Sequence, residues 1–443
     1  MRPPGPRGLP VVGSLLDVYR DPLAFVTRMR DRYGDIARVD IAGLPFYQLN
    51  APADIDTVLR VRHTAFTKGR LGADKRRLFG DGLATSEGEL WRRQRRLAQP
   101  AFHRERIAEY AATVTRFAGE AVDALADGRA IDLHGELMRL TLRVVAKLLF
   151  DADVTRDAGT VGAALGELMT YFTRQSSFFL RLAPRAVRRF ARRGFDRAVD
   201  RLDRVIGEII ERRRGDQLEH RDLLGMWMAA RDDDGSAMSD RQLRDEVMTA
   251  FLAGHETTAL ALSWTFGLLA RHPEIEAEVV AEVDRVGPDA SRLPTLAAVL
   301  KEAMRLYPPA WILVRQAQQP IELAGVTVPA RSFVVMSPWS VHRDPRLYRD
   351  PQRFWPARWH ADLEASLPRC AYFPFGSGPR GCIGHGLATM EATLVLATVL
   401  ARARFVARDP QLDPEASISL RPRGGLHGRL VPRTRAAAAR SAS

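Results

Sequence analysis

Cysteine is nearly absent: the 443 residues contain two, Cys370 and Cys382, twelve apart and in no C-x-x-C pair. That count excludes a disulfide framework and a cysteine-built zinc site, and points to a reducing compartment, the cytoplasm. Lysine is also scarce. Only Lys68, Lys75, Lys147 and Lys301 stand among 66 basic residues, a preference for arginine that reads as coding bias rather than chemistry. No apolar run approaches the roughly 18 residues that a membrane-spanning helix needs. The start, Met1-Arg2-Pro3-Pro4-Gly5-Pro6, lacks the apolar core of a signal peptide. No internal repeat and no long linker divides the chain.

The net charge is +13, which alone would suit nucleic acid, anionic lipid or an acidic protein partner. Yet arginines alternate with acids, as in Arg201-Leu202-Asp203-Arg204, and such interleaving describes solvated helix faces. A hydrophobic fraction of 46% is ordinary and sufficient for a large core. Asp21 and Pro22 open a helix that Gly34 closes, and the alternation at 36–41 and 46–49 predicts a small hairpin. From about 51 to 307 the apolar spacing is mostly helical. Strand-like segments return at 321–328 and 332–338. One mainly α domain with small β-sheets, spanning 1–433, is the economical reading, with 434–443 as a disordered Ala/Arg/Ser-rich tail.

The most chemically loaded stretch is Phe375-Gly376-Ser377-Gly378-Pro379-Arg380-Gly381-Cys382-Ile383-Gly384, which runs straight into an apolar helical pattern. Glycines let the backbone fold tightly around the thiol, and the positive end of the following helix favours a thiolate. Such a sulfur is a metal ligand or a nucleophile. The same stretch spells G-x-G-x-x-G, but Pro374 interrupts the strand a dinucleotide site would require and no β-α-β unit surrounds it.

Four other constellations stand out, each ambiguous alone. A helix opened by Ser239, with Gln242 completing a capping box, carries Ala253-Gly254-His255-Glu256-Thr257-Thr258. Gly, Glu and Thr are costly within an apolar helix, so the run predicts a functional interruption. Position 259 is Ala, which excludes an H-E-x-x-H zinc motif. Glu302 and Arg305, three apart, share a helix face that Pro308 and Pro309 terminate. Trp91 and Arg95 lie one turn apart and together suit a carboxylate. Asp350 to Trp359 forms a rigid loop rich in prolines and rings.

In this order, the motifs resemble those of the cytochrome P450 haem-thiolate monooxygenases along nearly the whole chain. Phe375, Gly378, Arg380, Cys382 and Gly384 fill the signature F-x-x-G-x-R-x-C-x-G. Ala253 to Thr258 is similar to the family's oxygen-activating helix, Glu302-x-x-Arg305 to its ion pair, and Arg358 to the third member of that network. The wording His342-Arg343-Asp344-Pro345 and the arginine at 380 resemble fatty-acid-hydroxylating and eukaryotic-type members, without the anchor of the latter. A soluble bacterial-type enzyme is the implied compromise.

The resemblance implies a triangular fold with haem b between the central helix and the cysteine loop. Cys382 would be the axial ligand of the iron. Trp91, Arg95, Arg315 and Arg380, joined by Lys68, would meet the haem propionates, with Phe375 and Gly384 as further cofactor contacts. Glu256 and Thr257 would open the helix and relay protons to O2. Leu83, Ala84, Phe251, Ala253, Ile312 and Leu313 would line an apolar substrate pocket, with Tyr171, Phe172, Phe178 and Phe179 at its mouth and Arg174 a candidate carboxylate contact. The implied reaction is hydroxylation or epoxidation of a terpenoid, fatty acid or polyketide-like molecule by a monomer. Electrons would come from NAD(P)H through a separate ferredoxin or flavodoxin docked near Arg92, Arg93 and Arg96. A peroxide-driven or rearranging haem-thiolate enzyme, and a non-catalytic haem-binding protein, are the alternatives.

Overall fold

The computed structural model describes residues 3–69, 73–151, 162–164, 166–168, 171, 185–215, 222–360, 363–409 and 411–433. Its organising element is the 32-residue central helix Asp240–Arg271. Ser239 caps it by accepting from the Gln242 N–H at 3.2 Å, but the predicted box is only half made. The Gln242 side chain turns instead to Arg93, 3.0 Å away. From Leu243 to Leu269 the helix is buried on most of its faces, which its apolar sequence requires.

The helix Leu133–Phe150 packs along it, with Gly254 at their contact. A Cβ there would lie 3.0 Å from Val145 Cγ2, so the glycine serves helix contact. The predicted interruption does not occur: the helix runs unbroken through 253–258. Thr257 and Thr258 return their hydroxyl protons to the carbonyls of Ala253 and Gly254, at 2.7 and 3.1 Å, so neither keeps a free donor, while each oxygen can still accept.

The predicted first helix is present as Pro22–Tyr33, with the Asp21 side chain accepting from Ala24 N and Gly34 at φ +76° closing it. The hairpin forms from Ile36–Ile41 and Leu44–Leu49. It is one edge of a five-stranded sheet in which Leu44–Leu49 pairs parallel with Phe333–Met336, followed by antiparallel Leu313–Ala317 and Phe66–Thr67. Side chains alternate along a strand, so Leu313 and Arg315 reach the same side, where both line the central cavity. The 321–328 stretch is a separate two-stranded hairpin. The sequence reading missed two small sheets built from C-terminal strands. His427–Pro432 lies between Ala130–Asp132 and Ala403–Ala407, and Pro414–Ala416 pairs with Leu420–Pro422.

Candidate functional site

The cysteine loop is folded by its own backbone. Gly376 N donates to Phe373 O, Gly381 N to Gly378 O and Cys382 N to Phe375 O, each at 2.9 Å. Gly378, at φ +69°, has no room for a side chain, because a Cβ would lie 2.2 Å from Leu59 O. The helix His385–Arg402 starts directly after Gly384, and the His385 ring stacks on Phe375 with centroids 4.0 Å apart.

Cys382 is unpaired and open, but it opens inward. It lines a cavity of about 350 Å³ with Phe375, Arg380 and Gly384 on its own side and Ala253, Gly254 and Thr257 on the central helix opposite. Surface exposure and enclosure thus differ: the sulfur faces free space deep within the protein. Burial pushes the thiol up, opposed by the Gly384 N–H and by Arg95. The expected preference for a thiolate is therefore not supplied by the loop itself, and a bound cation would have to provide it.

Around the same end of the cavity the charge is unbalanced. Arg380 pairs with Glu87 and donates to Ser86 O at 2.7 Å, with its guanidinium 4.0 Å over the Trp91 ring. Arg315 donates to Val314 O at 3.0 Å, and Arg95 to Gly381 O at 3.0 Å. Lys68 Nζ donates to Leu83 O and Ala84 O at 3.2 and 2.5 Å. Burial, then Arg380 and Arg315, depress its ammonium to about 7. Glu87 is set against these cations, and Glu246 also acts on Lys68. One soft sulfur donor, an apolar wall facing it and excess positive charge beside it fit a haem with two propionates.

Several predicted side chains lie elsewhere. Glu256 turns away from the cavity; Oε1 accepts from Ser419 Oγ at 2.8 Å and from Arg421 at 2.5 Å. Phe251 packs on Phe150 instead, and Ile312 joins the N-terminal apolar cluster around Trp264 and Trp311. Ala84 offers only its carbonyl to Lys68, and neither Lys68, Trp91 nor Arg95 borders the main cavity, whereas Leu83, Ala253 and Leu313 do. Tyr171 packs against Phe195, ring centroids 4.5 Å apart, while Phe172, Arg174, Phe178 and Phe179 lie outside the described residues. The three arginines of the expected docking patch form ion pairs within the chain, Arg92 with Glu89 and Arg93 and Arg96 with Asp232, and Arg92 and Arg96 stay about half exposed.

The Glu302 network is more complete than the sequence suggested. Arg305 donates to both carboxylate oxygens at 2.9 Å, and Arg358 Nε to Oε1 at 3.0 Å. Trp355 N and Trp359 Nε1 add bonds at 3.0 and 2.9 Å. Arg305 also holds the carbonyls of His342 and Pro351, each at 2.7 Å. It thereby ties the loop leading to the cysteine to the helix Pro294–Leu306.

Two acids that the sequence reading passed over line the cavity. Glu246 sits on the central helix and Glu391 on the helix after Cys382. Burial pushes Glu391 up to about 8 from its ordinary 4.5. A carboxyl raised in the folded state contributes stability that is fully present below its unfolded value and lost as pH rises through the folded one. Glu391→Gln should therefore remove a decline on the order of a few kcal/mol between about pH 4.5 and 8. Urea midpoints across that range check it; an unchanged pH slope sinks it.

The comparisons agree with this geometry. The family description "Cytochrome P450" matches residues 3–427. The cyclooctatin synthase of Streptomyces melanosporofaciens is 38% identical over 413 residues, covering 90% of this chain and 89% of its own. The cyclooctat-9-en-7-ol 5-monooxygenase of the same organism is 34% identical, with 90% and 88% covered. The pentalenene oxygenase of Streptomyces avermitilis is 36% identical over 442 residues, with 97% of both chains covered. Among solved structures, the haem domain of cytochrome P450DA superposes with a TM-score of 0.87 at 26% identity, covering 97% of this chain and 98% of that one. With a thiol facing the central helix across an apolar cavity, and with these matches along its length, this chain belongs to the cytochrome P450 family of monooxygenases.

Proposed function

We propose that this enzyme inserts one atom of O2 into a small terpenoid-like molecule, by hydroxylation or epoxidation, in the cytoplasm. The observation that carries the reading is the apolar cavity between the Cys382 thiol and the Ala253-Gly254-Thr257 face. The names of the similar proteins specify pentalenene and cyclooctat-9-en-7-ol as substrates, apolar molecules with at most one hydroxyl between them, and such molecules suit these walls.

Cys382 would hold the iron of haem b, with Arg315, Arg380 and Arg95 compensating the propionates and Trp91 and Lys68 behind them. The haem supplies oxygen binding and O–O cleavage, favoured by the electron-rich thiolate. Thr257 contributes a hydroxyl on the cavity wall that holds a proton near the reacting oxygen, once it releases Ala253 O. Glu256 resupplies that proton only by exchanging its bonds to Ser419 and Arg421. Apolar walls exclude water. Electrons come from NAD(P)H through a separate ferredoxin or flavodoxin.

The test is turnover of the haem-loaded protein with ferredoxin, its reductase, NADPH and ¹⁸O2, on a panel of sesquiterpene and diterpene hydrocarbons and alcohols. One labelled oxygen atom per product molecule is expected. Products formed only with hydrogen peroxide would replace this reading with the peroxide-driven one.

A further inference from the structure

We infer that Glu246 is a substrate-recognition residue that binds a hydroxyl group on an otherwise apolar substrate, remote from the carbon that is oxidised. The inference rests on the monooxygenase reading and specifies its substrate class.

Glu246 lines the cavity and is 2% exposed. One oxygen, Oε2, accepts from the Leu83 N–H at 3.0 Å. The other, Oε1, has no partner among the described residues. A buried acceptor left unsatisfied costs about 1–3 kcal/mol, so a ligand that supplies a donor there gains what the free protein forgoes. The threonines of this wall have spent their protons: Thr249, Thr257 and Thr258 donate to the carbonyls of Asp245, Ala253 and Gly254, which leaves only weak neutral acceptors beside the Glu246 carboxyl. Thr389 and Glu391 also keep unpartnered oxygens, but they stand on the helix that begins beside Cys382, the iron's side of the cavity.

Charge selects a neutral hydroxyl over other donors. Burial raises the Glu246 carboxyl to about 7, so near neutrality it exists in both forms and a hydroxyl pairs with either. An ammonium would meet Lys68, whose charge already acts on Glu246, and a carboxylate would be repelled by the ionised form. Glu246 lies eight residues before Gly254, about 12 Å along the helix. A rigid polycycle spans that distance, so its hydroxyl and its oxidised carbon belong to opposite ends. Its supplier is then a reaction that leaves one oxygen on the skeleton, a hydroxylation or a water-quenched cyclisation.

The test uses matched probes that differ by one hydroxyl: cedrol and cedrane, 1-adamantanol and adamantane. Dissociation constants come from the spin-state shift of the haem-loaded protein. The wild type should bind at least one alcohol about tenfold or more tighter than its parent hydrocarbon. Glu246→Leu should erase that preference without weakening the hydrocarbon, and Glu246→Gln should keep most of it. If Glu246 merely tethers Leu83, the leucine variant weakens both members of a pair equally, and the inference fails. It also fails if the wild type prefers no alcohol, including the case in which no probe shifts the spectrum. Each failure leaves the thiolate spectrum with carbon monoxide in place, whereas its absence would overturn the monooxygenase reading instead.

Discussion

Glu302→Ala should yield no folded, soluble protein. The carboxylate accepts bonds from both arginines and from two further N–H groups, and Glu302 and Arg305 are each 0% exposed. Removing it strands two buried guanidinium groups. Breaking one buried ion pair from one side costs about 3–5 kcal/mol, and each orphaned donor adds about 1–3 kcal/mol. The sum approaches or exceeds the roughly 5–15 kcal/mol that holds a typical domain together. Glu302→Gln retains acceptor geometry on one side and should be intermediate. Soluble yield and urea midpoints decide; an alanine variant within about 1 kcal/mol of wild type would refute the account.

Cys382→Ala should abolish turnover and the red-shifted band of the reduced carbon monoxide complex, while the protein still folds. The loop does not depend on the sulfur. Its closing bonds run between backbone atoms at Phe373, Phe375, Gly378 and Gly381, and the thiol receives one stabilising contact from the Gly384 N–H. Stability should therefore change by only about 1 kcal/mol. Because no histidine lines the cavity among the described residues, no second strong ligand stands ready to replace the thiolate. Spectra and urea midpoints on one preparation separate the outcomes. A persisting thiolate band would assign the iron to another sulfur.

The cysteine loop and the Glu302–Arg305 pair were legible in the sequence because their geometry is local: a few residues at fixed spacing determine both. Arg358 was reachable only through family resemblance, and Trp359 not at all, because loop closure brings them to Glu302. The faces of the central helix were legible in principle. At about 100° per residue, Glu256 and Phe251 point roughly 100° and 120° to either side of Thr257, which faces the cavity, whereas Glu246 lies within about 20° of it. Carrying family roles over to Glu256 and Phe251, without the helical phase, assigned both to the cavity and passed over Glu246. Nothing in the local pattern announces Ser419 and Arg421 as partners of Glu256; that pairing depends on the C-terminal hairpin.

That pairing has a consequence for synthesis. The partners of Glu256 lie 163 and 165 residues downstream, and translation proceeds at roughly 5–20 residues per second. On the ribosome, the acid in the middle of the central helix waits on the order of 10–30 s before its counter-charge exists. The buried polar contacts of that helix are therefore complete only once the hairpin carrying Arg421 has been made.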